Sequence, residues 1–377
     1  MLLRSLLLAT VTLAFAQETT PPDLPALIKT ANESYLKGDY DGARDTFLKA
    51  WEIAQQGPQN DPIRYDILKR LTSVRAAAGE FADADNYLQM AINWRETING
   101  PKDPKIADDL LVSVGLCRGM GNFDRAHLVL GRVMALHIAA YGQDSTEVAD
   151  DFSRTAALYM VEKNVRAAIN SLITAIDMRT KKVGPLDPTL VPDLDRIAGA
   201  YIVLRAYDKA EDAYRHALVI RETLYGKEDA DLIASVDGLA YACFGQKKYD
   251  EADPIYQRLI HLWIKSVGED HPMVAMALDK VAVFYADQKK FDQAREAEDR
   301  AIAIRAHFLA TGLSGAATEQ LDENNKDAAL ALYRRALMVM DPPHPIYDEL
   351  RAQIEEIVKN QEAPPKVTKK SPPPRKK

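Results

Sequence analysis

The sequence predicts an all-α fold, a solenoid of antiparallel helix pairs, and three observations predict it. A large apolar residue stands three before an alanine at Tyr40/Ala43, Phe81/Ala84, Phe123/Ala126, Val165/Ala168, Tyr207/Ala210, Tyr249/Ala252 and Phe291/Ala294, at steps of 41 and then 42 residues. A second comb keeps the same beat: Gly100, Gly142, Gly184, Gly226 and Gly268 are each 42 apart. Small residues recur nine positions before the turn residue, at Ala31, Ala156, Ala198, Ala240 and Ala282. Self-similarity at a fixed period of this size is the mark of stacked repeats.

The chain opens with Met1-Leu-Leu-Arg4, an apolar run over residues 6–16 and a small-x-small ending, Ala14-Phe15-Ala16. That is the form of a signal peptide over residues 1–16, with Gln17 as the new amino terminus and an exported, periplasmic or secreted product. The run is too short to span a bilayer, which takes about 20 apolar residues. Residues 17–22 read as a short linker, and the repeats then occupy 23–361.

Each repeat reads as two helices. The first opens on capping chemistry after the marker glycine: Asp103-Pro104, Ser145, Asp187-Pro188, Asp229 and His271-Pro272. Asp or Ser accepts from free backbone amides there, and Pro fits the first helical position. An apolar 3–4 pattern follows, as in Ile233, Val236, Leu239, Ala240 and Cys243. After a tight turn such as Gly245-Gln-Lys-Lys-Tyr249, the second helix carries Ala252, Tyr256, Leu259, Ile260 and Trp263. The next marker glycine ends it. About seven such units are followed by a shorter one, 34 residues on at Asn325–Ala328, and by an amphipathic terminal helix with Ile346, Leu350, Ile354 and Ile357 on one face. A terminal helix with a polar outer face closes a stacked core.

The turn Gly-x-Tyr/Phe-x-x-Ala, seen as Gly38-Asp-Tyr40 and Gly79-Glu-Phe81, with Phe47/Ala50 and Tyr214/Ala217 on second helices, resembles the tetratricopeptide repeat. The 42-residue spacing with Gly268-Glu-Asp-His-Pro272 is similar to the longer kinesin-light-chain variety. HEAT and armadillo arrays share the period but lack this turn signature. The resemblance covers about residues 23–341 and implies a right-handed superhelix whose first helices line a concave face, a scaffold that binds a protein or an extended peptide. Val165 departs from it in place of an aromatic, as does Glu298 where an aromatic packs.

Charge narrows the function further. The formal net charge is -7, and six of the 48 Lys/Arg sit in the last fourteen residues. The remaining body is strongly acidic, which argues against a nucleic-acid binder, since duplex recognition begins by neutralising phosphates. The tail over 362–377, rich in Pro and Lys, cannot form a core. It reads either as a solubilising end or as an electrostatic anchor to an anionic surface or non-protein polymer.

No phosphate-binding glycine loop, nucleophile elbow or paired metal-ligand spacing occurs, and the seven histidines are scattered. The sequence therefore predicts a non-enzymatic chain with no cofactor, no metal site and no catalytic residue. Cys117 and Cys243 stand three repeats apart in the slot that Tyr159, Tyr201 and Tyr285 fill elsewhere, too far for a disulfide.

A charged ladder on the first helices is the candidate binding surface. Asp195, Asp237 and Asp279 lie twelve before the turn residue at successive 42-residue steps, with Arg154, Arg196 and Lys280 one position on and Tyr241 nearby. Two readings are open: a column of salt bridges, or a groove that fixes the register of a bound peptide. Arg95, Arg179, Arg221 and Arg305 share a register late on the second helices, where they are expected to bond helix-end carbonyls. Lys69 with Ser73 lacks the asparagine of the grooves that clamp a terminal carboxylate in this family.

Overall fold

The computed structural model describes residues 23–339 and 345–362; the expected signal peptide, the linker, His344 and the tail beyond 362 lie outside them. Among the described residues there are sixteen α-helices, two short 3-10 turns and no strand. Contacts divide the chain into two compact units, with the boundary between Met178 and Arg179.

The first unit stacks α1 (Leu24–Leu36) with α2 (Tyr40–Gln56), α3 (Pro62–Ala77) with α4 (Phe81–Asn99), and α5 (Ile106–Gly119) with α6 (Phe123–Tyr141). It then takes in α7 (Thr146–Val161) and most of α8 (Val165–Val183). The second unit holds α9 (Val191–Val203) with α10 (Tyr207–Tyr225), α11 (Ile233–Gly245) with α12 (Tyr249–Val267), and α13 (Pro272–Asp287) with α14 (Phe291–Asp322). It ends with α15 (Lys326–Met338) and α16 (Pro345–Glu362). The second helix of all seven 42-residue hairpins starts on its turn residue, Val165 included.

Side-chain size explains the close stacking. Ala31, Ala156, Ala198, Ala240 and Ala282 are all buried, as are the alanines three after the turn residue. Between neighbouring hairpins a ring meets a glycine: a Cβ on Gly238 would run into the Tyr214 ring, and one on Gly245 would lie 2.6 Å from the Tyr207 ring. The core is tightest around Phe284, whose ring lies 5.0 Å from that of Tyr256 and 5.8 Å from that of Phe244. Offset and edge-on aromatic pairs at such distances add about 0.5–1.5 kcal/mol each to the burial itself. Cys117 and Cys243 are free and buried.

The helix entries follow the capping chemistry, with one refinement. Ser145 accepts from the Val148 amide at 3.3 Å, and the His271 ring nitrogen Nδ1 accepts from the Met273 amide at 3.2 Å. Asp187 and Asp229 instead cap 3-10 turns, Pro188–Leu190 and Ala230–Leu232, that lead into α9 and α11. Asp103 bonds the Lys105 amide, and α5 begins at Ile106.

The array departs from its rule at α14, which runs unbroken for 32 residues. The expected first helix of a shorter eighth repeat is simply its second half. The reason lies in the glycine comb. Gly100, Gly142, Gly184, Gly226 and Gly268 all take a left-handed φ between 84° and 95° and stop the helix before them. The next tooth falls at residue 310, which is a fully buried alanine. An alanine there favours continued helix and resists a left-handed turn. The far half of α14 joins α15 and α16 in one cluster through Ala310, Ala317, Tyr333, Leu350 and Ile357, with Ile354 of the terminal helix packed against it; the side chain of Ile346 lies outside those described.

Candidate functional site

The ladder residues are mostly engaged with the protein itself. Asp195 accepts from both terminal nitrogens of Arg221 at 3.0 and 2.6 Å, and from the Ser235 hydroxyl at 3.2 Å. Asp279 takes a two-pronged bond from Arg305. Asp237 pairs with Lys280 of the next first helix at 2.5 Å. Arg154 and Arg196 each reach back three residues, to Asp151 at 2.9 Å and Asp193 at 3.0 Å. Tyr241 is 45% exposed and meets Tyr207 and Phe244 edge-on. In the first unit, Lys69 bonds Asp109 at 2.8 Å. Phe244 is half-buried and packs into the core rather than lining a groove.

Behind the ladder lies a second column, two residues earlier on each first helix, that the sequence reading passed over. Asp109, Asp151 and Asp193 are 42 apart and at most 1% exposed. Each meets the basic residue fourteen before it, on the preceding second helix: Arg95 with Asp109 at 3.5 Å, His137 with Asp151 at 2.8 Å, and Arg179 with Asp193. Of the four arginines expected to bond helix-end carbonyls, Arg95 does so, on Lys105 at 2.7 Å. Arg179, Arg221 and Arg305, like Arg95, pair with carboxylates. Burial pushes the Asp151 carboxyl above its ordinary range, against the pull of His137 and Arg154.

The column then changes chemistry. Its next pair is Arg221 with Ser235, at 2.5 Å, and the one after is Trp263 with Ala277. An arginine at position 263 would stand where Arg221 and Arg305 stand, bonding the ladder aspartate 26 residues before it. With Trp263 there, Asp237 has no such partner and turns to Lys280. A cavity of about 640 Å³ opens at this place, walled by Ile233, Leu259, Trp263, Met273, Met276 and Ala277, with Asp237 and Lys280 on its rim. A second, of about 630 Å³, adjoins it, sharing Ala230 and Ser266. Of the ladder residues named from sequence, the structure brings Asp237 and Lys280 to this pocket. Its apolar lining was in the sequence as an interruption of the arginine register at Trp263.

One polar cluster lies apart. Glu211, Cys243 and Glu251 place ligand atoms within 4.8 Å of one another. Burial would raise the Glu211 carboxyl, but bonds from Lys248, Arg215 and Gln246 outweigh it and hold it at about 2. Burial pushes the Cys243 thiol up to about 11, so it is protonated at neutral pH. With its carboxylate ringed by cations and its thiol neutral, the cluster is built as an ion-pair joint.

Tetratricopeptide repeat family models match residues 194–231 and 231–307. Among solved structures, BtubC (BKLC) from P. vanneervenii is 18% identical with a TM-score of 0.51, covering 60% of this chain and 90% of that one. The C-terminal part of a TPR repeat-containing protein from Cytophaga hutchinsonii is 16% identical with a TM-score of 0.51, over 74% of this chain and 95% of that one. A putative kinesin light chain with TPR-like repeats from Podosopora anserina is 18% identical with a TM-score of 0.48, over 54% and 97%. No curated protein matches the sequence. Residues 194–307 carry tetratricopeptide repeats, and the fold of the described residues is a solenoid of helix pairs like that of tetratricopeptide repeat proteins.

The two aspartate columns differ in what their loss costs. Asp193→Ala removes a buried carboxylate, 1% exposed, that bonds Arg179, whose side chain is 8% exposed, and is expected to lower stability by about 3 kcal/mol. Asp279→Ala breaks a pair whose members are 45% and 47% exposed, and should cost less than about 1 kcal/mol. Urea unfolding of the two variants measures both. Glu211 gives a pH signature. Its folded pKa, at about 2, lies below the ordinary 4.5, so its contribution is complete above pH 4.5 and lost as pH falls towards 2. The stability gap between wild type and Glu211→Gln, about 1–3 kcal/mol near neutrality, should therefore close in that window when melting is followed against pH.

Proposed function

We propose that this chain is an exported, non-enzymatic scaffold that holds an extended peptide, or an extended segment of a partner protein, on the first-helix face of its second unit. The pocket at Trp263 carries the reading. It is the place where the buried ion-pair column gives way to apolar side chains, and a repeat array has no packing reason to leave a tryptophan and two methionines around open space. Methionine-lined surfaces adapt to varied apolar partners. Burying one large apolar side chain there is worth about 1.5–3 kcal/mol. Asp237 and Lys280, salt-bridged across the rim, hold an acceptor and a donor where the peptide backbone beside that side chain would run. Tyr241, exposed one turn further along α11, extends the surface.

Selection of peptides from a random library on the whole protein should return sequences with a bulky apolar residue at a fixed position. Trp263→Ala and Met276→Asp should each weaken the selected peptides at least about tenfold; Met276, 47% exposed, leaves the core untouched. Selected peptides that bind both variants as tightly as wild type would overturn the reading.

Export rests on the Met1–Ala16 pattern. Protein recovered from outside the cytoplasm should begin at Gln17 by mass spectrometry, and a mature product still beginning at Met1 would exclude cleavage there.

A further inference from the structure

Within a repeat array, the outer face of each second helix is covered by the first helix of the next hairpin. Four contacts define that seam, counted from the turn residue. The turn residue itself meets the position four before the next one, as Tyr207 meets Gly245 and Phe81 meets Gly119. The residue seven after it meets the position eleven before the next one, as Tyr214 meets Gly238. The residue fourteen after meets the position fourteen before, as His137 meets Asp151. The position seven before the next turn residue lies between the first two, as Phe284 lies between Tyr249 and Tyr256.

On α14 this face is bare. Because the helix runs straight on at Ala310, no first helix among the described residues folds back over it. Phe291 is 64% exposed and Ile302 62%, whereas Ile92, Leu218 and Ile260, in the register of Ile302, are buried. Arg295 and Glu298 are exposed between them. The opposite face is bare on α1, a first helix with no second helix before it among the described residues. There Ala26, Lys29, Glu33 and Leu36 are exposed, Leu36 at 82%.

We infer that these two bare faces are complementary, and that α14 of one copy docks on α1 of a second copy as if the second copy were its next repeat. The seam's own register makes the pairing. Leu36 falls on Phe291, Lys29 on Glu298, and Glu33 between Phe291 and Glu298, beside Arg295. Two apolar side chains left in water meet each other, and both charge pairs are of opposite sign. Glu298 stands where the other hairpins carry Phe47, Leu88, Leu130, Leu172, Tyr214 and Tyr256, and Lys29 occupies the position that faces it. Such a contact is heterologous: it uses different surfaces on the two partners, so each copy keeps one free end and the assembly grows head to tail.

Sedimentation of the whole mature chain over a concentration series tests this. The weight-average mass should rise with concentration. Glu298→Lys alone, or Lys29→Glu alone, sets like charges against each other and should weaken association at least about tenfold. Both residues are exposed, so neither change disturbs folding, which circular dichroism checks. An equimolar mixture of the two single variants restores an opposite-sign pair at every junction, and its mass should rise again. A wild-type mass that stays monomeric at all concentrations would overturn the inference, and so would association indifferent to Glu298→Lys.

Discussion

A pair of antiparallel helices can bury only the face its two members share; every other apolar surface has to be covered by the next pair. That requirement governs each unit of this protein. It explains why the small residues sit where two helices cross, at Ala240 and Ala282, and why a glycine sits where the Tyr214 and Tyr207 rings of the preceding hairpin arrive, at Gly238 and Gly245. Replacing either partner of a ring-on-glycine contact alters the distance between hairpins, and stability in such arrays is a sum of these neighbour terms.

The buried polar column shows the same requirement acting on charge. Asp109, Asp151 and Asp193 are too deeply buried to be tolerated alone, and each is met by a base from the neighbouring hairpin. A buried ion pair contributes little net stability over an apolar pair of equal volume, but it penalises any register in which the two charges miss each other. The column thus sets which residues face across the joint, while the aromatic rings supply the burial. Where it passes from Asp with Arg to Ser with Arg, and then to Ala with Trp, the constraint relaxes. Space and apolar surface appear together at that point.

The fold was legible in the sequence because its determinants are local and repeated. The turn residue, the alanine three after it and the marker glycine act within one hairpin, and periodicity multiplies the signal. The partners of the charges were less legible. Asp195 and Asp193 are two residues apart, both on the 42-residue beat, yet one lies half-buried and the other in the core. Composition is the same for both; only the direction of the side chain from the helix distinguishes them. Arg221 and Arg305 chose carboxylates 26 residues earlier, a pairing that depends on the crossing of two helices rather than on either sequence alone. The course of α14 was legible in principle, as a missing glycine at 310.

The turns show how far packing overrides local preference. The residue two before each turn residue takes a left-handed φ throughout: Gly38, Gly79 and Gly121 in the first three hairpins, then Lys163, Arg205, Lys247 and Lys289, at 57–62°. For a residue with a Cβ that conformation costs about 1 kcal/mol or more. The chain accepts the cost at these four turns, and again at Asn324 before α15, because the backbone there is fixed from both sides. The amide of the next residue bonds a carbonyl of the preceding helix in each turn, as Asn164 does to Tyr159 and Lys248 to Cys243. Relaxing φ would break that bond and swing the next second helix off its alanine contact. The hairpin angle is therefore set by how two helices and their neighbours pack, and the turn residues adapt to it.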